Sequence, residues 1–373
     1  MSMFRSILQA ISITFLICTV QADDASTSGK KLPVHPTYQE IITDLHRTED
    51  QTKTTVIYAH GFGGNGLLGH LQYTKGTETL LSYFYQTQKD NFTTWNFLFD
   101  VEKHNVISFN FQDILINLGI YGSIPNPFLT HLAQGDDIEQ LLKAINSSIN
   151  QTIIGFGVSR GAATWITTLG TQLIDKKVAG LVLESPFSSL KNVTPFQIIY
   201  FILESIKPIF PSINPEYHAT LITKTFFANY EMNGVQPLDV IHTIGKDIPI
   251  LLVHSKEDAI IPINNSRQLY AKLRKSGHTK AFLLELDHGQ HARLLKGRDG
   301  LLYARVVHAF FKYCNIPHNP VLAAGINLQE YQPAINSMYP HAQIIAKPET
   351  MNPNIQASNS KTSLFEACYT FSF

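Results

Sequence analysis

The sequence has no excess of charge of either sign and no long run of basic residues. Its 373 residues include 29 Lys and Arg against 29 Asp and Glu, so the formal net charge is zero. Proteins that bind nucleic acid carry a basic patch or stripe that neutralises phosphates. The composition therefore argues against nucleic acid as the main partner, and its 44% of hydrophobic residues is typical of a globular fold.

Cysteine is scarce, and no Cys/His spacing typical of a metal site occurs. The three cysteines are Cys18, Cys314 and Cys368. In an oxidising compartment Cys314 and Cys368 either pair and tie the C-terminal segment to the domain, or remain two free buried thiols. We expect neither a metal nor an organic cofactor.

No apolar run reaches the ~20 residues that span a bilayer. The N-terminus carries a shorter, mostly apolar stretch, Ile7–Val20, which follows Arg5 and precedes a small residue, Ala22. A basic residue, an apolar core and a small residue at the cleavage position are typical of a secretory signal peptide. We predict that residues 1–22 are such a peptide and that the protein is secreted or periplasmic.

Apolar strands alternate with helical segments along most of the chain. This order predicts a mostly parallel sheet flanked by helices, with the working site at the carboxyl ends of the strands. The predicted strands are Thr54–Ala59, Asn105–Asn110, Thr152–Phe156, Val178–Glu184, Ile248–Ser255 and Ala281–Leu286. The predicted helices are Thr77–Gln88, one that begins near Gly135, one from Ser159 to about Ile174, Asn264–Lys275 and Gly300–Tyr313.

Residues 186–248 break this alternation with prolines and apolar helical stretches. We predict that they form an inserted helical cap on one α/β domain, which spans residues 23–314. Ile199, Tyr200, Phe201 and Phe210 are the cap residues expected to line a pocket. Residues 315–373 are rich in Asn, Pro, Gln and Ala, and we interpret them as a C-terminal tail.

The motif Gly157-Val158-Ser159-Arg160-Gly161 follows one of the predicted strands and precedes a helix. A serine nucleophile stands on a very tight strand-to-helix turn, where side chains two positions before and after it would collide. Glycine at both positions meets that requirement. The alternative is a glycine-rich turn that carries an inert serine.

Three other strand ends carry matching motifs. They are His60-Gly61-Phe62-Gly63-Gly64, Ser255-Lys256-Glu257-Asp258 with Ile261-Pro262, and two histidines, His288 and His291, after the last strand. With the serine motif, residues 52–313 resemble the serine-nucleophile α/β-hydrolase superfamily of esterases, lipases and peptidases. The order Ser, Asp, His along the chain is the order that this fold uses.

The resemblance assigns roles to named residues. Ser159 is the expected nucleophile, and Asp258 is expected to orient the histidine that accepts the serine proton. His291 is the preferred base because it follows a short glycine-containing turn. Gln290, at a position where relatives often have glycine, keeps His288 as the alternative.

The same resemblance places the oxyanion hole at the backbone N–H groups of Phe62 and Arg160. We interpret His60 as a structural residue that holds the turn at Gly61. The Arg160 side chain is left open between a bridge to nearby acids and a contact with substrate.

These expectations combine into an exported serine hydrolase that cleaves a carboxylic ester through an acyl-enzyme intermediate. The alternatives are a peptidase or amidase of the same fold and a catalytically inactive binding protein, because fold alone does not decide function. The expected partner is a small-molecule or lipid-like ester. Contact with a membrane is expected only through the cap.

Overall fold

The structure is a computed structural model that describes residues 50–75, 98–100, 103–117, 123–126, 129–227 and 229–335. The predicted signal peptide, the predicted helix Thr77–Gln88 and Cys368 lie outside the described residues. The chain divides into two units, Met1–Pro333 and Ala334–Phe373. The described strands and helices all belong to the first unit.

A six-stranded parallel sheet forms the centre of this unit. The described strands are β1 (Thr54–Ala59), β2 (Thr74–Lys75), β3 (Phe99–Asp100), β4 (His104–Ser108), β5 (Ile114–Asn117), β6 (Ser123–Pro125), β7 (Thr152–Val158), β8 (Lys177–Glu184), β9 (Ile250–Ser255) and β10 (Ala281–Leu286). The sheet order is β10-β9-β8-β7-β1-β4, and all five pairings are parallel. Strands β2 and β3 pair separately, as do β5 and β6.

Helices connect the parallel strands. The described α-helices are α1 (Gly66–Tyr73), α2 (Gly135–Ser147), α3 (Arg160–Thr171), α4 (Thr194–Ile206), α5 (Pro215–Phe226), α6 (Pro237–Val240), α7 (Asn264–Lys275), α8 (Gly300–Tyr313) and α9 (Pro320–Ala323). Short 3₁₀ turns lie at Leu190–Asn192, Ile241–Thr243, Leu294–Lys296 and Leu328–Tyr331. The parallel sheet flanked by helices confirms the predicted fold class.

The register brings the carboxyl ends of the central strands to one edge. Gly157 of β7 lies opposite Ala59 of β1, and Val158 lies opposite Glu184 of β8. On the far side, Ser255 of β9 lies opposite Leu286 of β10. The four motif-bearing loops therefore leave the sheet at the same edge, as parallel strands require.

The core forms where apolar strands meet the closing helix. Val182, Leu251 and Phe282 from three neighbouring strands share one buried cluster with Phe310 and Phe311 of α8. Parallel strands are covered on both faces, which explains why they are apolar throughout and do not alternate.

The first unit continues past residue 314, where the sequence places the end of the domain. Ile316, Ala323 and Leu328 are buried in the same cluster as the sheet. Ile316 lies outside the helices and strands, and Ala323 and Leu328 belong to elements of four residues each, too short to produce a visible hydrophobic period. The Cys314 thiol is partly buried, and burial raises its pKa to about 12. Its pairing with Cys368 stays a prediction.

The predicted cap lies between β8 and β9 and contains α4, α5 and α6. Proline at the first turn starts all three helices, where its missing N–H costs no hydrogen bond. Asn214 caps α5 by accepting a hydrogen bond from the Tyr217 N–H at 3.1 Å. Across the described residues, the helices are all too short or too polar to cross a membrane.

Candidate active site

Ser159 lies on the turn between β7 and α3, in a strained backbone conformation. Its φ of 54° and ψ of −114° are rare for a residue with a side chain. The turn is held by the Ser159 N–H, which donates to the Glu184 carbonyl at 2.7 Å. The side chain is 6% exposed, so the hydroxyl is only slightly accessible to solvent.

The two glycines of the motif are sterically required. A Cβ on Gly157 would lie 2.7 Å from the backbone of Ala162, and one on Gly161 would lie 2.0 Å from the Ala59 carbonyl oxygen. Strand β1 and helix α3 therefore approach this turn more closely than any side chain permits. The turn has the close packing that the sequence argument assumed.

Three predicted residues meet at this turn. The Nε2 atom of His291 lies 2.9 Å from the Ser159 Oγ, and its Nδ1 lies 2.7 Å from Oδ2 of Asp258. A carboxylate only accepts, so Nδ1 carries the proton and donates it to Asp258. In the neutral ring, Nε2 is then the acceptor for the Ser159 hydroxyl. This is the arrangement of a serine with an adjacent base and an orienting acid.

Asp258 is buried, and both oxygens of its carboxylate accept hydrogen bonds. Oδ1 accepts from the backbone N–H groups of Ile260 and Ile261 at 3.0 and 2.9 Å. Burial opposes its ionisation, but His291 and His254 together hold the pKa of this carboxyl well below its ordinary value. Asp258 therefore stays charged while it orients His291.

His288, the alternative base, faces a different set of groups. Its Nδ1 lies 3.0 Å from the Glu257 carboxylate, and its Nε2 lies 3.3 Å from the Arg298 guanidinium. The side chain is 40% exposed. The structure thus places His291, and not His288, between Ser159 and Asp258.

The predicted oxyanion donors flank Ser159. A Cβ on Gly61 would lie 3.4 Å from the Ser159 Cβ, which places the following residue, Phe62, beside the nucleophile. The Arg160 N–H belongs to the first residue of α3, where no intrahelical acceptor exists. The Arg160 amide thus lies at a helix N-terminus, which favours negative charge.

His60 holds the turn that presents Phe62. Its Nδ1 donates to the Gly61 carbonyl at 2.7 Å, and its Nε2 accepts from the Phe111 N–H at 3.2 Å. Burial lowers the pKa of His60 to about 4, so the ring is neutral at physiological pH. The structural interpretation of His60 matches these contacts.

The Arg160 side chain bridges two buried carboxylates. Its Nη1 lies 3.0 and 2.9 Å from the two oxygens of Asp113, and its Nε lies 2.7 Å from Oδ2 of Asp137. The guanidinium also stacks over the Phe111 ring, 4.1 Å from its centre. Of the two roles left open from sequence, the structure shows the bridge between acids.

Replacing Arg160 by Leu is expected to lower the free energy of unfolding by about 3–5 kcal/mol, because two buried carboxylates lose their partner. The backbone N–H at position 160 remains. Urea unfolding followed by circular dichroism measures the loss. Arg267→Leu is the matched control: it removes a bidentate pair with Glu285 whose side chains are 25% and 21% exposed. For Arg267→Leu we expect the free energy of unfolding to fall by ~1 kcal/mol or less. Equal losses of unfolding free energy in the two variants would contradict the prediction.

The cap packs directly on the loops around Ser159. The Phe62 ring meets Phe227 edge to face, with ring centres 5.7 Å apart. Phe62 and Ile260 also pack against the cluster that contains Phe196 and Ile199 of α4. The cap thus makes apolar contacts both with the loop that carries Phe62 and with the loop that follows Asp258.

Only one of the four cap residues predicted to line a pocket lies in this cluster. Ile199 is buried there, whereas Tyr200, Phe201 and Phe210 are exposed. All four are apolar residues within or after one helix, and hydrophobicity alone does not show which side of a cap helix faces the domain. Phe227 and Phe62 make the contact that the sequence argument missed.

Glu184 is a buried acid beside the site that sequence reasoning did not single out. Its Oε2 accepts hydrogen bonds from the hydroxyls of Tyr73 and Tyr303 at 3.1 and 2.9 Å. Burial raises the pKa of this carboxyl, and the two tyrosines act against that rise. The sequence offered one signal for Glu184: it is a charged residue at the end of an apolar strand, at the sheet edge where the motifs meet.

In the described part of the chain, no group of three or more His, Cys, Asp or Glu could hold a metal ion.

Residues 198–315 match the family model of the prolyl oligopeptidase family. This segment covers most of the cap, the Asp258 loop, both histidines and α8. It is less than half of the chain. The match confirms the predicted resemblance to the serine-nucleophile α/β-hydrolase superfamily. No curated protein matches the chain.

Several solved structures are similar to this one at low sequence identity. An esterase from Pyrococcus furiosus is 17% identical, with 71% of this chain and 84% of the esterase covered and a TM-score of 0.44. A monoacylglycerol lipase from Paleococcus ferrophilus is 16% identical, with 70% and 96% covered and a TM-score of 0.40. An acylaminoacyl peptidase from Pyrococcus horikoshii is 14% identical, with 76% and 40% covered and a TM-score of 0.40.

Proposed function

We propose that this chain, which has the fold of the serine-nucleophile α/β-hydrolases, is an exported serine hydrolase that cleaves carboxylic esters. The observation that carries the proposal is the hydrogen-bonded series Ser159, His291, Asp258, with contacts of 2.9 and 2.7 Å. Export by residues 1–22 is part of the same proposal and is supported by the sequence pattern alone.

The chemistry follows from these contacts. Ser159 Oγ attacks the carbonyl carbon while its proton passes to Nε2 of His291, and Asp258 stabilises the imidazolium that forms. The carbonyl oxygen becomes an oxyanion, which accepts hydrogen bonds from the Phe62 and Arg160 backbone amides. His291 then donates the proton to the leaving oxygen, which departs as an alcohol and leaves an acyl-serine.

Water completes the cycle by the same route. His291 accepts a proton from a water molecule, whose oxygen attacks the acyl carbon at the face where the alcohol left. The second oxyanion collapses, the acid departs and the proton returns to Ser159. No group outside this chain and water is needed for the proton transfers.

The apolar cap supports an ester with an apolar acyl or alcohol group. Phe227 of the cap packs against Phe62, the residue proposed to stabilise the oxyanion, and Ile260 joins the same cluster. A small-molecule or lipid-like ester fits these surroundings better than a charged substrate. Contact with a membrane, where such esters are found, is proposed only through the cap.

A peptidase or amidase is the second candidate function. It is favoured by the match of residues 198–315 to the prolyl oligopeptidase family. The same serine, base and acid serve both reactions, so the contacts at Ser159 do not separate them. A binding protein without activity is the less favoured third alternative, because the proposed triad is complete.

A panel of p-nitrophenyl esters beside aminoacyl p-nitroanilides tests ester against amide cleavage. We expect kcat/KM on esters to rise about two- to fourfold per added methylene until the apolar space is filled, as burial of each CH₂ predicts. We expect the anilides to be cleaved more slowly. Faster cleavage of an anilide than of the esters would favour the peptidase hypothesis over the esterase hypothesis.

Two cap variants serve as a matched pair in the same assay. Phe227→Ala removes the ring that packs on Phe62 and is expected to flatten the dependence on chain length. Phe201→Ala removes a ring from the same cap that is 62% exposed, and is expected to leave the dependence unchanged. Equal effects of the two variants would show that the cap cluster does not contact the substrate.

A further inference from the structure

A second histidine contacts the carboxylate of Asp258. His254 belongs to β9, four residues before Asp258, and both side chains are completely buried. Its Nε2 lies 3.3 Å from Oδ2 of Asp258, the same oxygen that accepts the hydrogen bond from His291. Neither the serine nor the proposed oxyanion donors touch His254, so the proposed mechanism gives it no part.

The partners of His254 fix where its proton lies. The Nε2 atom is 2.7 Å from the Ile261 carbonyl oxygen, which only accepts, so Nε2 must carry a hydrogen. On the other side, Nδ1 lies 2.7 Å from the hydroxyl of Ser266 on α7. The hydroxyl donates to Nδ1 when the ring is neutral. One N–H therefore faces both the Ile261 carbonyl and Asp258.

The carboxylate of Asp258 is thus held from two sides. Oδ1 accepts from the Ile260 and Ile261 amides, Oδ2 accepts from Nδ1 of His291, and the His254 Nε2–H group lies beside the same Oδ2 at 3.3 Å. A carboxylate with donors on both oxygens has one preferred orientation of its plane. The direction of Oδ2 decides where the His291 ring points, and hence where Nε2 meets the serine hydroxyl.

We infer that His254 is a positioning residue for the proposed triad: its Nε2–H fixes the Asp258 carboxylate and shares Oδ2 with His291. This inference rests on the proposed function, since it assigns a role within the same site. His254 does not touch substrate. It acts through Asp258.

The shared oxygen has a consequence for pH dependence. A hydrogen bond to the charged form of a carboxylate makes it a weaker base, so the His254 N–H reduces the pull of Asp258 on the His291 proton. Removing the His254 N–H strengthens the attraction of Asp258 for the His291 proton and so favours the imidazolium form of His291. Among the described residues, Glu184 on β8 also interacts electrostatically with His291. Glu257 faces His288 instead.

His254→Leu tests the inference because it removes both ring nitrogens and keeps an apolar side chain in the buried site. We expect the acidic limb of the kcat/KM profile to move up by roughly 0.5–1 pH unit. We also expect kcat to fall about tenfold with little change in KM, because a mobile carboxylate aligns the base less often. His254→Gln places an amide N–H near the position of Nε2, and its profile is expected to stay close to that of the unmodified protein.

Ser266→Ala is the matched control, since it removes the hydrogen bond on the other side of the same ring. It is expected to lower thermal stability without moving the pH profile. Equal shifts in the Leu and Gln variants, or in the Leu and Ser266→Ala variants, would overturn the inference. An unchanged profile in His254→Leu would do the same.

A second measurement separates this inference from the proposed function. Titration of the His291 ring by ¹⁵N NMR, in full-length protein labelled at histidine, needs no substrate. The His291 midpoint is expected to rise in His254→Leu and to stay in His254→Gln. If the unmodified protein cleaves no ester and no anilide, the proposed function fails while the NMR titration still decides the role of His254. If esters are cleaved and the midpoint does not move, only the role of His254 fails.

Discussion

Replacing Ser159 by Ala is expected to lower kcat/KM for a p-nitrophenyl ester by a factor of about 10⁴ or more. The substitution removes the atom proposed to form the acyl-enzyme, and no other described hydroxyl makes a hydrogen bond to His291. The fold should survive, because alanine keeps the Cβ and loses only the contact from Oγ to His291. Initial rates and labelling by a fluorophosphonate probe measure the effect.

Ser185→Ala is the matched control for this experiment. Ser185 is also buried at the end of a central strand, with a φ of 49°, close to the 54° of Ser159. Its hydroxyl makes no hydrogen bond to any described residue. Its loss is expected to leave both rate and labelling within about twofold of the unmodified protein. Retained activity in Ser159→Ala would show that the nucleophile is assigned wrongly.

Replacing His291 by Ala is expected to reduce kcat by a factor of about 10⁴ or more, with KM nearly unchanged. Without the imidazole, nothing within reach accepts the Ser159 proton, and Asp258 loses the group that it orients. Initial rates on a p-nitrophenyl ester measure kcat and KM. Circular dichroism checks that the variant is folded.

His288→Ala gives the contrast, because both histidines lie on the same loop. His288 pairs with Glu257 and Arg298 at a partly exposed position, so a loss of about threefold or less is expected. The opposite ranking, with His288→Ala nearly inactive and His291→Ala active, would make His288 the base.

The parallel sheet was predictable because each of its strands is an apolar run that a turn interrupts. The bounds of β1, β10, α7 and α8 are those predicted from sequence. Strand β4 ends at Ser108, before the predicted Asn110, and α3 ends at Thr171, before about Ile174. Ends of elements depend on a few local hydrogen bonds, which hydrophobic patterns do not report.

The residues that meet at Ser159 were predictable for a different reason. Each follows a strand, and parallel strands bring their carboxyl ends to one edge, so chain order and register together place Asp258 and His291 near Ser159. The choice between His288 and His291 needed the structure. It depends on the path of the loop, which the residue types do not determine.

The buried polar network around the site was not predictable. Asp113 and Asp137 meet the Arg160 side chain from segments 47 and 23 residues away, and Glu184 meets Tyr303 from 119 residues away. Nothing local in the sequence marks such pairs, because each partner looks like an ordinary loop or strand-end residue. The same holds for His254, because a histidine within an apolar strand does not by itself indicate a contact with Asp258.

The distance along the chain between Ser159 and His291 governs when the site exists during synthesis. The two residues are 132 positions apart. At about 5–20 residues per second, His291 is added roughly 7–26 s after Ser159. For that interval the growing chain carries the proposed nucleophile without its proposed base. If the proposed roles hold, hydrolytic activity reports that synthesis has passed the last strand, and a chain cut short before residue 291 is expected to be inactive.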